Sequence, residues 1–294
     1  MSVKDAVSNG AQVRRLPVGF DWPGGRKVAV VFDIAFERWS DGKAPPIGPM
    51  GNPLPAGAFD TNALSWSAFG PVRGIGRLLD ILKRQKIYSS VMTSGAFCET
   101  APEAVKRIAG EGHEIVAHCW AQDVIPAKLS PEDVRLDIQK TTDALASLSG
   151  KNIRGWISPR GTPHAESARM LLEAGYDWQG DVFDDDRPYV QEFDKGSLVA
   201  IPLTMEVNDL PHAMRYGRSP QQFVELFDDT LTASLAMNEP LVIDVTAHCH
   251  CYGHASGAHA YEEIAKKAKA RDDIWIARRD EIAAYVRKEM NSNK

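Results

Sequence analysis

Lys27-Val28-Ala29-Val30-Val31-Phe32-Asp33-Ile34 is an almost unbroken apolar run of strand length, with acidic residues, Asp33 and Glu37, at its C-terminal end. A half-exposed strand alternates apolar and polar residues, whereas a strand covered on both faces is apolar throughout, as in a parallel sheet packed between helices. Moving outward from this run, helix and strand signals alternate. Residues 71–84 carry apolar positions at helical spacing, 87–92 read as a strand, and 101–109 as a helix ended by Gly110. Residues 114–118 form the next strand. Ser130-Pro131-Glu132-Asp133 supplies an N-cap, a proline at the first helical position and first-turn acids, for a helix ending at Gly150. Strands at 153–157, 178–182, 198–202, 241–246 and 274–277 alternate with helices at 165–173, 220–236, 261–269 and 280–288.

About seven β-then-α units imply parallel strands with right-handed crossovers, in a closed barrel or an open doubly wound sheet. Polar residues choose between them, because Asp33/Glu37, Ser94, His118, Arg160, Asp184/Asp185 and His248 all fall just after expected strands. In a barrel such ends converge on one mouth. The expectation is therefore an α/β chain, a distorted (β/α) barrel with about seven parallel strands, forming one catalytic domain over 1–294. Residues 1–25 read as a polar N-terminal leader. Residues 40–70 show no periodicity, and nine of the residues 42–57 are Pro or Gly. With no change of composition beyond it, the 38–70 stretch reads as an active-site lid loop rather than a linker.

The chain has 294 residues, 44% hydrophobic and 25% charged, with a net charge of −5. No Lys/Arg block or aromatic-interleaved basic stripe occurs, which argues against a nucleic-acid or membrane-surface partner and for a small-molecule substrate. No apolar run approaches the ~20 residues that span a bilayer, and no secretory leader pattern is present, so a cytoplasmic protein is expected. The four cysteines read as free thiols. No G-x-G-x-x-G or Walker pattern supports nucleotide binding, and Ser94-Gly95 lacks the G-x-S-x-G elbow of a serine hydrolase.

A lone histidine at 118 would read as a core residue, but its company changes that. Gly112-His113-Glu114-Ile115-x-x-His118, then Ser158-Pro159-Arg160-Gly161, then Ala247-His248 at a strand end, follow one another in the order of the polysaccharide deacetylase superfamily motifs. The sequence resembles that superfamily from about residue 27 to 285. The resemblance implies an Asp-containing first motif and a His-x-x-x-His second motif around a divalent cation. Here the first reads Phe32-Asp33-Ile34-Ala35-Phe36-Glu37, keeping the base position as Asp33 but placing Ala35 where a ligand is expected. The second reads His118-Cys119-Trp120-Ala121-Gln122, so Gln122 replaces the second histidine. Ala cannot ligate and neutral Gln is a poor substitute for imidazole. With Asp184-Asp185-Asp186-Arg187-Pro188-Tyr189, Val207-Asn208-Asp209 and Trp275-Ile276-Ala277-Arg278-Arg279-Asp280-Glu281-Ile282, the sequence looks like the metal-independent allantoinase and cyclic-imide hydrolase branch. Those relatives imply hydrolysis of a non-peptide C–N bond in a small cyclic amide, no cofactor, and a homo-oligomer.

Amide hydrolysis needs an activated water, a stabiliser for the anionic intermediate and an acid for the leaving nitrogen. Asp33 or Glu37 could be the base, His118 and His248 could move protons, and Arg160 could neutralise a carboxylate. Trp39, Trp66 and Trp120 could line a flat pocket or simply pack; Gln122, Asp185 and Asn208 complete the expected substrate-binding set. The cluster His248-Cys249-His250-Cys251 suggests a metal, but strand alternation sends the histidines to one face and the cysteines to the other. A rearranged site of Glu37, His118 and His248 is the weaker metal alternative. Two other readings stay open, a metal-dependent N-deacetylase of an amino sugar or small amide, and a catalytically degenerate barrel that only binds a small molecule or sugar.

Overall fold

The computed structural model describes residues 10–51, 54–55 and 57–292. Its strands are β1 (Gln12–Arg15), β2 (Val28–Phe36), β3 (Ser90–Thr93), β4 (Glu114–Ala117), β5 (Gly155–Trp156), β6 (Trp178–Gln179), β7 (Tyr189–Phe193), β8 (Gly196–Ala200), β9 (Val207–Asn208), β10 (Leu241–His248) and β11 (Ile274–Ile276). The helices are α1 (Thr61–Phe69), α2 (Ile75–Gln85), α3 (Phe97–Thr100), α4 (Pro102–Gly110), α5 (Pro131–Ser149), α6 (Ser167–Glu173), α7 (Pro220–Met237), α8 (Ala255–Lys269) and α9 (Arg279–Ser292).

The strand β2 is buried at all nine positions, which is why its sequence is continuously apolar. It pairs in parallel with β10 along its whole partner and with β3 on the other side, while β11 joins its N-terminal half. The parallel order β9-β10-β2-β3-β4-β5-β6-β8 forms the distorted (β/α) barrel, and β7 and β1 extend it as antiparallel strands beyond β8.

Side-chain alternation sorts the core into two layers. Val28, Val30, Phe32, Ile34 and Phe36 face outward against α2, α4 and α8, meeting Leu78, Leu79, Val105 and Ile264. Ala29, Val31 and Ala35 face the barrel interior with Met92, Ile157, Trp178 and Ile201. Asp33 shares that interior parity and lies deep in the barrel, where Arg279 Nη2 meets Asp33 Oδ2 at 2.9 Å and Asp244 Oδ1 at 2.5 Å. All three side chains are buried. Such a triad holds β2, β10 and the start of α9 together, since losing one member strands a charge in low dielectric.

Two stretches differ from the sequence expectation. The supposed leader contains β1, paired with β7, and Phe20 and Trp22, which are buried in the interior layer; residues 1–9 lie outside the described residues. Within 38–70, α1 begins at an Asp60 N-cap whose Oδ1 accepts from Ala63 N, and it continues through a π turn (Gly70–Gly74) into α2. Its apolar residues do not share one face, so no period announced it. Among the described residues, no helix is long and apolar enough to cross a membrane.

Candidate active site

Glu37, just beyond the end of β2, is the centre of the site. His118, after β4, places Nε2 3.3 Å from Glu37 Oε1; His248, ending β10, places Nε2 3.7 Å from the same oxygen; and His250 places Nε2 3.8 Å from Oε2. All four side chains are buried. The other ring nitrogens fix the orientation of two of the histidines. His118 Nδ1 lies 2.5 Å from the Ile157 carbonyl, which can only accept, so Nδ1 carries a proton. His248 Nδ1 donates to Asp209 Oδ1 at 2.6 Å, and Asp209 Oδ2 accepts from the backbone N–H groups of His248 and Tyr252. Nδ1 of His250 has no partner among the described residues.

Electrostatics separate these groups. Burial works to raise the Glu37 carboxyl, but the His248 imidazole, the His118 ring 3.3 Å away and His250 overcome it and hold the pKa at about 2. Burial likewise disfavours charge on His248, yet Asp209 and Glu37 outweigh it and lift the imidazole to about 9. At His250 burial outweighs the attraction of Glu37 at 3.8 Å, His248 adds to it, and the ring is left neutral, at about 4. Near neutral pH the site therefore holds an ionised Glu37, a cationic His248 and a neutral His250. Asp181, which accepts from Ser158 N, is pushed by burial to about 6, and its second oxygen is unpartnered among the described residues.

The loop after β10 is held by a close approach. A Cβ on Gly74 would lie 1.9 Å from the Cys249 carbonyl oxygen, and one on Gly253 would meet the same atom at 1.9 Å. The π turn and the 249–253 turn thus touch backbone to backbone, setting His250 against Trp66 and Trp39 at ring separations of 4.6 and 5.6 Å. Cys249 and Cys251 are buried free thiols pushed well up by burial, on the side away from Glu37 expected from alternation.

A cavity of about 350 Å³ opens over this array. Glu37, His118, His248, Thr246, Asn208 and Ser158 supply its polar atoms; Arg160 and Arg215 stand exposed at its rim with no ion pair among the described residues. Arg160 sits on a left-handed turn (φ 60°). Of the residues expected from sequence, Glu37, His118, Arg160, His248 and Asn208 line this cavity. Asp33 does not, being bound to Arg279. Trp120 packs over Gly95, with Lys140 Nζ 3.5 Å from the centre of its ring. Gln122 donates to Ser94 Oγ at 3.3 Å, Asp185 pairs with Arg15 and Arg187, and Trp39 and Trp66 support His250 from behind. Sequence reasoning gave no role to Asp209, although Asn208-Asp209 was a visible pair, nor to Asp181 or Arg215, and it weighed His250 only as part of a metal cluster.

A metal held in the manner implied by the resemblance does not fit these residues. Ala35 offers no donor, and the Gln122 amide is engaged with Ser94. Among the described residues, no group of three or more His, Cys, Asp or Glu is set out to hold a metal ion.

The polysaccharide deacetylase family model matches residues 63–178. A putative polysaccharide deacetylase of Schizosaccharomyces pombe is 22% identical, covering 89% of this chain and 91% of its own. The crystal structure of a putative polysaccharide deacetylase from Mycobacterium smegmatis superposes with a TM-score of 0.80 at 26% identity, over 94% of this chain and 96% of its own. PuuE allantoinase shares the fold with a TM-score of 0.84 at 22% identity, over 97% of both chains. Motif order, barrel and matches agree: the chain carries a polysaccharide deacetylase match over residues 63–178 and shares the fold of polysaccharide deacetylases and of PuuE allantoinase.

Proposed function

We propose that this protein hydrolyses a C–N bond in a small cyclic amide, of the imide, hydantoin or allantoin kind, using its own side chains. The observation that carries the reading is the Glu37–His118–His248 array under a small cavity, with non-ligating residues at the two expected metal-ligand positions. Nδ1 of His118 is committed to Ile157, so Nε2 is the atom that takes the proton of an attacking water. A carboxylate at about 2 is a weak base on its own; Glu37 instead receives the new N–H of His118 across 3.3 Å, an attraction that grows as the transition state forms. His248, already cationic, faces the developing oxyanion and gives its Nε2 proton to the ring nitrogen. A C–O bond forms, the C–N bond breaks, and the product carboxylate leaves past Arg160. Cyclic imides and hydantoins have better leaving groups than acetamides, which suits a site without a Lewis acid.

Removal of an N-acyl group by the same residues is the second reading, supported by the relatives named as deacetylases. A panel of hydantoin, allantoin, succinimide, glutarimide and an N-acetylated sugar, offered to chelator-treated protein of known metal content, separates the two. Ring opening by metal-free protein is expected. Deacetylation that appears only with stoichiometric divalent metal would sink the proposal, and binding without turnover of any compound would favour a degenerate barrel.

A further inference from the structure

We infer that the substrate carries a bulky apolar substituent, an aryl or branched alkyl group, held by the apolar part of the cavity wall; this refines the cyclic-amide reading and rests on it. Beside the catalytic array, and inside the two arginines at the rim, Arg160 and Arg215, the wall carries Ile47, Met92, Phe183, Leu203, Leu210 and Met214. Two large apolar side chains of this mouth, Phe183 at 52% and Met205 at 41% exposure, stand open to solvent, where a ligand would cover them. Volume points the same way. An apolar cavity of about 150 Å³ accepts one benzene-sized ring, so the 350 Å³ here takes the reacting ring and a second group of similar size. A bare ring would leave apolar wall atoms without contacts. Inside the two rim arginines, the ureido arm of allantoin or the hydroxyls of a sugar would meet Met, Leu and Phe, and unpaired polar groups in such a place are costly.

The test compares kcat/KM for hydantoin, allantoin and 5-benzylhydantoin, and for glutarimide against its phenyl derivative, in wild type, Phe183→Ser and Met214→Ser. Phe183 is exposed, so its replacement leaves folding intact. Burial of an aromatic group corresponds to about a ten- to hundredfold preference for the substituted ring, and each variant should reduce that preference about tenfold while leaving the unsubstituted ring nearly unchanged. Binding of 5-benzylhydantoin to His248→Asn, read by calorimetry, supplies a measure independent of turnover. Ring opening with no preference for the substituent, or with allantoin favoured, overturns the inference while sparing the cyclic-amide reading. If no ring is opened but 5-benzylhydantoin binds and Phe183→Ser weakens it, the apolar subsite stands and the reaction assignment fails. Absence of both turnover and binding overturns both.

Discussion

Replacing Asp209 by Asn removes the carboxylate that accepts from His248 Nδ1 at 2.6 Å while keeping an oxygen for that hydrogen bond. Asp209 is fully buried, so little solvent screens it. With it, the imidazole titrates at about 9. Without it, burial, which disfavours the charged ring, is opposed by Glu37 alone, and the value should fall to about 6.5 or below. At about pH 8 the wild-type ring would be roughly nine-tenths protonated and the variant's about 3%, a loss of about thirtyfold in the acid form. The sign for stability follows from a folded value above the unfolded one. The stabilisation is complete below about pH 6.5 and disappears as pH rises through about 9, and the shift corresponds to about 3 kcal/mol. Titration of the His248 ring by NMR reads the shift without any substrate, and kcat/KM against pH should show the alkaline limb moving down by about 2.5 units or more. An unchanged limb, or a His248 value already near 6.5 in wild type, would refute the assignment of His248 as the acid.

Arg279→Leu should destabilise the fold by about 3–5 kcal/mol in denaturant unfolding, because Asp33 and Asp244 are left buried without their cation. Asp33→Asn should lower stability and reduce activity only in proportion to the folded fraction; a selective loss of kcat at full folding would restore Asp33 as a base. Gly74→Ala places a methyl against the Cys249 carbonyl and should cost about 1–3 kcal/mol, with a melting shift and altered Trp66 fluorescence as His250 moves. Acidification should protonate Glu37 only near pH 2, so stability from this carboxylate is present above about pH 4.5 and is lost as pH falls through about 2; Glu37→Gln should remove that contribution and should also lower the His248 titration.

Much of the barrel was legible because its information is local. The unbroken run at 28–36, the Ser130 cap with Pro131 and Gly150, and Pro220 after Ser219 each state an element within a few residues. Strand ends then located Glu37, His118, Arg160 and His248 without knowledge of their contacts. What failed depended on distant partners or on broken alternation. Asp33 and Glu37 share a parity, and the guanidinium that holds Asp33 below the cavity comes from Arg279, 246 residues further along. Trp120 looked like a neighbour of His118, but Cys119 adopts φ 53°, which ends the strand's alternation and sends the indole to Lys140. The partnership of Asp209 with His248 spans 39 residues and two strands, with no spacing rule to announce it. The strand β9 has two residues, too few for any period, whereas β5 and β6 lie within the strands expected at 153–157 and 178–182.

The buried triad of Asp33, Arg279 and Asp244 also limits how this scaffold can be rebuilt. Writing Asp at 35 and His at 122 would put back the side chains of a metal-binding relative, and Ala35 already lies beside His248 in register. The new carboxylate would enter the cavity beside Glu37, so two like charges would compete for the same imidazoles. Asp33 would still be held by the guanidinium, unable to turn toward a water without breaking the clasp between the first long strand and the final helix. Freeing Asp33 would therefore require rebuilding the buried triad, and any substitution that leaves one of its charges unpaired passes through a less stable protein.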